Sequence, residues 1–239
     1  MIFVTGDTHG QLDIAKIQKK NWPQQFKLSK SDYLIVLGDF GLFWKQDRTF
    51  KYLLDFYESR CYTVLWIDGN HENHNWIDSL PMSEWHGGLV HDFHGIIHLV
   101  RGQIYNIDGY RFFTLGGAKS IDKVYRREGV SWWPQEELNF AEQEDAIKNL
   151  KSSNWCADYI LTHAAPRDAL RLMFPDMRYD GNSTTEKFLE YVHGELRNFT
   201  HWYFGHYHED KDFYKFSAVY DRILKIGDNM SVTPRLKAE

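Results

Sequence analysis

Five short apolar runs in this 239-residue chain each break off at residues whose side chains can ligate a metal ion. They read Val4-Thr5-Gly6-Asp7-Thr8-His9-Gly10, Val36-Leu37-Gly38-Asp39, Ile67-Asp68-Gly69-Asn70-His71-Glu72, Leu161-Thr162-His163 and Phe204-Gly205-His206-Tyr207-His208. The candidate ligands are Asp7, His9, Asp39, Asn70, His163, His206 and His208: two carboxylates, one amide oxygen and four imidazoles. Calcium sites are built from oxygen alone, whereas imidazole suits Mn, Fe, Zn or Ni, so the mixture points to borderline divalent ions. Glycine precedes Asp7, Asp39, Asn70 and His206, which suits sharp turns and close backbone approach to an ion or a phosphate.

Residues this far apart act together only if the elements that carry them converge. Ile2–Thr5, Tyr33–Leu37, Tyr62–Ile67, Tyr159–Leu161 and Trp202–Phe204 read as buried strands, and Gln11–Lys20 and Asp47–Ser59 read as helices between the early ones. This rhythm predicts an α/β fold with helices covering the sheet. In open α/β sheets ligands bind beyond the carboxyl ends of strands, so five strand ends can share one pocket.

From Val90 to Leu115, and again from Phe213 to Ile226, closely spaced strand-like pieces predict antiparallel hairpins forming a second sheet. Gly116–Glu137 reads as a long loop of the kind that is usually functional, followed by an amphipathic helix from about Leu138. With no repeat, low-complexity tract or linker, residues 1–239 are expected to form a single domain.

In order and in type, the five segments resemble the signatures of the calcineurin-like metallophosphoesterase superfamily: D-x-H, G-D, G-N-H-[ED], a lone H after a strand, and G-H-x-H. The likeness extends from Asp7 to His208 and is nearest to small bacterial and prophage members. It implies a four-layer α/β/β/α sandwich and a hydrolase acting on phosphoester bonds. It also implies that one metal is held by Asp7, His9, Asp39 and His208, and another by Asp39, Asn70, His163 and His206, with Asp39 as the bridge. Two cations about 3.5–4 Å apart acidify a bridging water to a hydroxide nucleophile, orient the phosphoryl oxygens and neutralise their charge. The histidine matching His71 sits near the leaving-group oxygen in the family, where imidazole can stabilise or protonate it. Asp68 reads either as a carboxylate orienting a histidine or as a strand-end turn residue.

Two arginines that contact phosphate in the protein phosphatases of this superfamily are missing, since Phe40-Gly41-Leu42-Phe43-Trp44 follows Asp39 and Ile67-Asp68 precedes the third motif. The expected substrate is therefore a phosphodiester or a nucleotide-like small molecule. The alternatives are a phosphomonoesterase (phosphatase) and a catalytically silent binding module of the same fold. Within the long loop, Arg126 and Lys123 are the candidate substrate-binding residues, alongside Lys119 and Arg127, against the alternative of a solvated basic loop balanced by Asp122 and Glu128.

Trp44, Trp76, Trp132 and Trp133 lie near the expected pocket rim and read either as stacking platforms or as ordinary packing. Alternation along a strand would place His91 opposite His94 and His98, which argues against a second metal site. Asp13, Ile14, Ile17 and Lys20 show helical spacing only.

The net charge of −5 gives no global attraction to a nucleic-acid backbone, so a dedicated nucleic-acid-binding role is disfavoured. No apolar run approaches the roughly 20 residues needed to cross a bilayer, and the N-terminus lacks a signal-peptide pattern, so a cytoplasmic location is expected. Cys61 and Cys156 read as reduced core residues. Homo-oligomerisation is left open.

Overall fold

A computed structural model describes residues 1–176 and 181–227. Alternation along the early strands sets its architecture. Ile2 and Val4, Ile35 and Leu37, and Leu65 and Ile67 pack into one apolar cluster, while Phe3, Leu34, Val36, Val64 and Trp66 pack into another. Successive strand side chains point to opposite faces, so Ile2–Thr5, Tyr33–Leu37 and Thr63–Ile67 lie in a sheet covered on both sides. The three are mutually parallel, as is usual for strands buried on both faces.

Two sheets form. In spatial order the first runs Ile223–Lys225, Ile2–Thr5, Tyr33–Leu37, Thr63–Ile67, Ile96–Leu99, Gly88–Phe93, Met82–Trp85. The second runs Lys211–Phe213, Phe216–Ala218, His201–Phe204, Tyr159–Thr162, Tyr110–Leu115, Gln103–Ile107. Tyr105, Ile107, Phe112, Leu161 and Tyr203 of the second sheet meet the inner residues of the first between the layers.

Outside the first sheet lies helix Arg48–Glu58, seated through Leu53 and Tyr57. Outside the second lie Phe140–Ser152, Arg167–Met173 and Thr184–Glu195, seated through Leu150, Leu170 and Leu189. The result is the expected α/β/β/α sandwich. Asp47 caps the first of these helices by accepting from the backbone N–H of Thr49 and Phe50, and Asn139 with Glu142 forms a capping box on the second.

Three expectations are corrected. Gln11–Lys20 is not an α-helix but holds a 3₁₀ turn, Ile14–Ile17, followed later by another, Pro23–Lys27. The side chains at this turn are drawn inward: Lys16 Nζ donates to the carbonyls of Asp7 and Tyr220, and Asp13 bonds His9 instead of capping a helix. The hairpin regions do not form a sheet of their own. The pieces up to Leu99 extend the first sheet, Gln103–Ile107 and Tyr110–Leu115 edge the second, and the C-terminal pieces divide likewise. Finally, Cys61 is exposed and Cys156 half-buried, so neither is a core residue, and both are free thiols. No helix among the described residues is long and apolar enough to cross a membrane.

Candidate metal centre

The carboxyl ends of the parallel strands in both sheets meet at one edge of the sandwich. His163 Nδ1 donates to the carbonyl of Leu37 at 2.7 Å, stitching the second sheet to the first. Gly205 N–H donates to the carbonyl of His163 at 3.1 Å, and the backbone N–H groups of Thr8 and His9 donate to that of Asp39 at 3.1 and 2.8 Å. The His71 backbone N–H donates to Asp39 Oδ1, so all five predicted segments arrive at one place.

Backbone strain marks the same spot. His9, Asp39, His206 and His208 adopt positive φ, at 41°, 46°, 68° and 51°. Left-handed backbone is uncommon outside glycine, with Asp and His among the residues that tolerate it best, and four of the chain's described cases gather at this one place. The glycines make room. A Cβ on Gly69 would lie 2.0 Å from Asp39 Oδ1, and one on Gly38, at φ +95°, would lie 2.0 Å from His163 Nδ1.

Asp39 sits between two histidines. Its Oδ2 is 3.2 Å from His9 Nε2, and its Oδ1 is 3.4 Å from His163 Nε2 while accepting the His71 backbone N–H at 2.8 Å. Asp7 Oδ1 accepts the His206 N–H at 3.0 Å. Asp7 Oδ2 is buried without a well-formed hydrogen bond, although His208 Nε2 lies 3.2 Å away. Asn70 Oδ1 lies 3.2 Å from His163 Nε2. Donor atoms of Asp7, His9 and His208 fall within 4.8 Å of one another, as do those of Asp7, Asp39 and His163. His206 joins the cluster through its backbone and through a ring-edge contact with His163 at 5.0 Å.

A buried carboxylate oxygen with free lone pairs, set among the Nε2 atoms of His9, His163 and His208, is a donor set that fits divalent cations. Without them the carboxylates draw protons onto the histidines. Burial opposes charge on His163, yet Asp39 and Asp7 hold its pKa up at about 9. Burial likewise opposes charge on His9, and Asp39 raises it to about 8. Burial and the neighbouring His163 push His206 down to about 3.

The supporting residues are those the sequence reading passed over. Asp13 Oδ2 lies 2.6 Å from His9 Nδ1, the carboxylate–imidazole pairing that fixes a ligand's tautomer and leaves Nε2 toward the cluster. Its position four residues after His9 was the available signal. Asn70 Nδ2 donates to Ser120 Oγ at 3.0 Å, and Ser120 donates on to Glu136 at 2.5 Å, so the long loop orients the amide with its oxygen inward. His208 stacks on Tyr220, with ring centroids 4.7 Å apart. Nothing in the sequence announced these last partners, which come from distant loops.

His71 stands beside the cluster. Arg126 Nη1 and Nη2 lie 3.2 and 3.0 Å from its two ring nitrogens, and burial together with this guanidinium lowers the His71 pKa against the pull of Asp39. Arg126 is itself held by both carboxylate oxygens of Asp122, at 2.6 and 2.8 Å. Lys123 is placed elsewhere: its ammonium lies 3.8 Å over the Trp132 ring, lining a cavity with Lys119, Glu136 and Glu137. Trp44 lies near His71 and meets the buried Trp133 edge-on. Asp68 does orient a histidine, His98, at 3.1 Å, but that histidine lies outside the cluster.

The expectation for His91 and His98 is corrected by the hairpin between them. The turn folds the chain back, so the two are cross-strand partners with rings stacked 5.5 Å apart, while His94 leaves for Glu58.

A family profile described as calcineurin-like phosphoesterase matches residues 1–210. No curated protein matches the chain significantly. Among solved structures, TT1561 of Thermus thermophilus is similar at 13% identity, over 85% of this chain and 80% of that one, with a TM-score of 0.45.

Proposed function

The chain belongs to the calcineurin-like phosphoesterase family, whose members hydrolyse phosphoesters with metal ions, and from that premise we propose a dinuclear enzyme acting on a phosphodiester or nucleotide-like small substrate. The observation that carries the reading is the position of Asp39, whose two oxygens lie against two different histidines, Oδ2 at His9 and Oδ1 at His163. A carboxylate so placed suits a bridging ligand. One ion would be held by Asp7, His9, Asp39 and His208, and the other by Asp39, Asn70, His163 and His206. Mn is the first choice, and Fe, Zn or Ni suits the same donors. When bound, the pair supplies Lewis-acid neutralisation of phosphoryl charge and a water acidic enough to act as nucleophile near neutral pH.

The chain's own residues do the remaining work. Asp13 and the Leu37 carbonyl hold the Nδ1 atoms of His9 and His163, leaving each Nε2 for the centre. His71, outside the ligand set, would stabilise or protonate the departing oxygen. Arg126, braced by Asp122 and adjacent to His71, would take the part of the two missing phosphate arginines. Lys123, held over Trp132, is left outside this site. A phosphomonoesterase is the second reading, favoured by Arg126, because a guanidinium fork also suits a dianionic phosphoryl group. A silent binding module is disfavoured by the close approach of the donor atoms and by the presence of His71 beside them.

The test is to strip the protein of metal, titrate Mn back, and follow bound metal together with hydrolysis of an aryl diester and an aryl monoester. Two bound equivalents and faster diester cleavage support the reading. Saturation at one equivalent would overturn the dinuclear centre, and faster monoester cleavage would transfer the assignment to the second reading.

A further inference from the structure

Beside the centre lies a cavity of about 400 Å³ whose lining includes His9, His71, Leu12, Trp44, Phe50 and Lys45. That volume lies within the range of small-molecule sites. Of the seven candidate ligands only His9 lines it, together with His71. An ester whose phosphorus sits at the centre, with its departing oxygen at His71, would extend that departing arm into this cavity.

The chemistry of the walls selects what the arm carries. The Trp44 ring lies 6.4 Å from that of His71 and only 28° from parallel, and Trp133 meets it edge-on at 5.2 Å. The indole is thus fixed before any ligand arrives, which lowers the entropy lost on stacking. Leu12 stands 81% exposed at the cavity, a large apolar side chain left in water. Polar groups are also at hand, with Gln11 and Thr49 in the lining and Lys45 shared with a neighbouring cavity of about 430 Å³ that also borders Trp44. An aromatic plate with apolar flanks and scattered hydrogen-bonding groups recognises a planar ring better than a sugar or a short alkyl chain.

We propose that this cavity is a subsite for a planar aromatic ring, a nucleobase or an aryl group, on the leaving arm of the ester, stacked against Trp44. The inference rests on the phosphoester reading above and names the class of leaving group. The balance is that of hydrolysis: the oxygen of water replaces the departing oxygen on phosphorus, and a proton ends on the released alcohol, whose ring occupies the cavity.

The experiment is equilibrium dialysis of the Mn-loaded protein against AMP, phenyl phosphate, ribose 5-phosphate and inorganic phosphate, with phosphate release read in the same samples. AMP and phenyl phosphate are expected to bind at least about ten-fold more tightly than ribose 5-phosphate, in line with stacking on one aromatic side chain. AMP above phenyl phosphate assigns a nucleobase, and equality assigns any aryl ring. Trp44→Ala should reduce the margin to less than about two-fold, and Trp44→Phe should keep most of it. Leu12→Glu, at an exposed position in the cavity wall, should weaken AMP by a clearly larger factor than inorganic phosphate. Equal binding of AMP, phenyl phosphate and ribose 5-phosphate by the wild type, or an undiminished margin in Trp44→Ala and Leu12→Glu, would overturn the subsite. Hydrolysis without the margin sinks the subsite alone, whereas the margin with no hydrolysis of these monoesters or of the aryl diester sinks the enzyme reading and leaves the ring site standing.

Discussion

Arg101 donates through Nε and Nη2 to a single oxygen of Asp68, Oδ2, at 2.8 and 2.5 Å, in a pair buried at the end of the strand that leads into Asn70. Burial alone would raise the Asp68 pKa, yet Arg101 and His98 hold its carboxyl well below the usual carboxylate range. The same guanidinium reaches Glu142 and the carbonyl of Gln135, and the Asp68 carbonyl accepts the Gly117 N–H. One ion pair thus fastens a strand end, both ends of the long loop and the following helix.

Removing one partner leaves an uncompensated buried charge. Arg101→Ala should lower the unfolding free energy by about 3–5 kcal/mol, whereas the double change Arg101→Met with Asp68→Leu should recover much of that loss. Urea unfolding of the three proteins checks this, and a single variant within about 1 kcal/mol of wild type would show that the pair is not a structural anchor.

Acid should weaken the fold in a defined window. Burial pushes His201 down to about 4 from 6.5, so between these values the unfolded chain takes up a proton that the folded chain refuses. Its contribution is whole above pH 6.5 and falls as the pH drops toward 4, by up to about 3 kcal/mol. His201→Gln should flatten the stability profile across that interval and leave it unchanged above pH 7. Parallel profiles for the two proteins would show that His201 titrates normally.

At Gly69 the backbone is pressed against Asp39, where a Cβ would lie 2.0 Å from Oδ1. Gly69→Ala should displace that carboxylate and reduce metal-dependent hydrolysis by about 100-fold or more, while the far-ultraviolet circular dichroism stays native. Retained activity would mean that the position of Asp39 is not critical.

His71→Ala should reduce cleavage of esters with poor leaving groups far more than cleavage of nitrophenyl esters, if its imidazole delivers the proton to the departing oxygen. Equal losses across a leaving-group series would remove that role from His71.

Strand-end chemistry was legible because period-two alternation and glycine-preceded ligands are local signals. Ile2–Thr5 and Tyr33–Leu37 carry both and lie where they were predicted. The partners were harder to read. Ser120 and Glu136 orient Asn70 from 50 or more residues away in a loop without periodicity. Asp13 looked like one step of a helix that does not form, because His9 claims its carboxylate. His91 and His98 appeared to face apart by alternation counted along the hairpin region, and the turn between them makes them cross-strand partners instead. Local pattern fixes which atoms arrive at the centre, while the loop register that steadies them is set by the folded whole.

The central claim is that Asp39, between His9 and His163, organises a metal centre that cleaves phosphoesters. Its most direct test compares wild type and Asp39→Asn on aryl monoesters and diesters with Mn, Ni, Zn, Mg or no metal. Loss of partners that merely orient a ligand already reduces activity by about 10–100-fold, so the wild type should exceed Asp39→Asn by about 100-fold or more with at least one metal. Wild type no faster than Asp39→Asn on either ester, with every metal tried, would contradict the account.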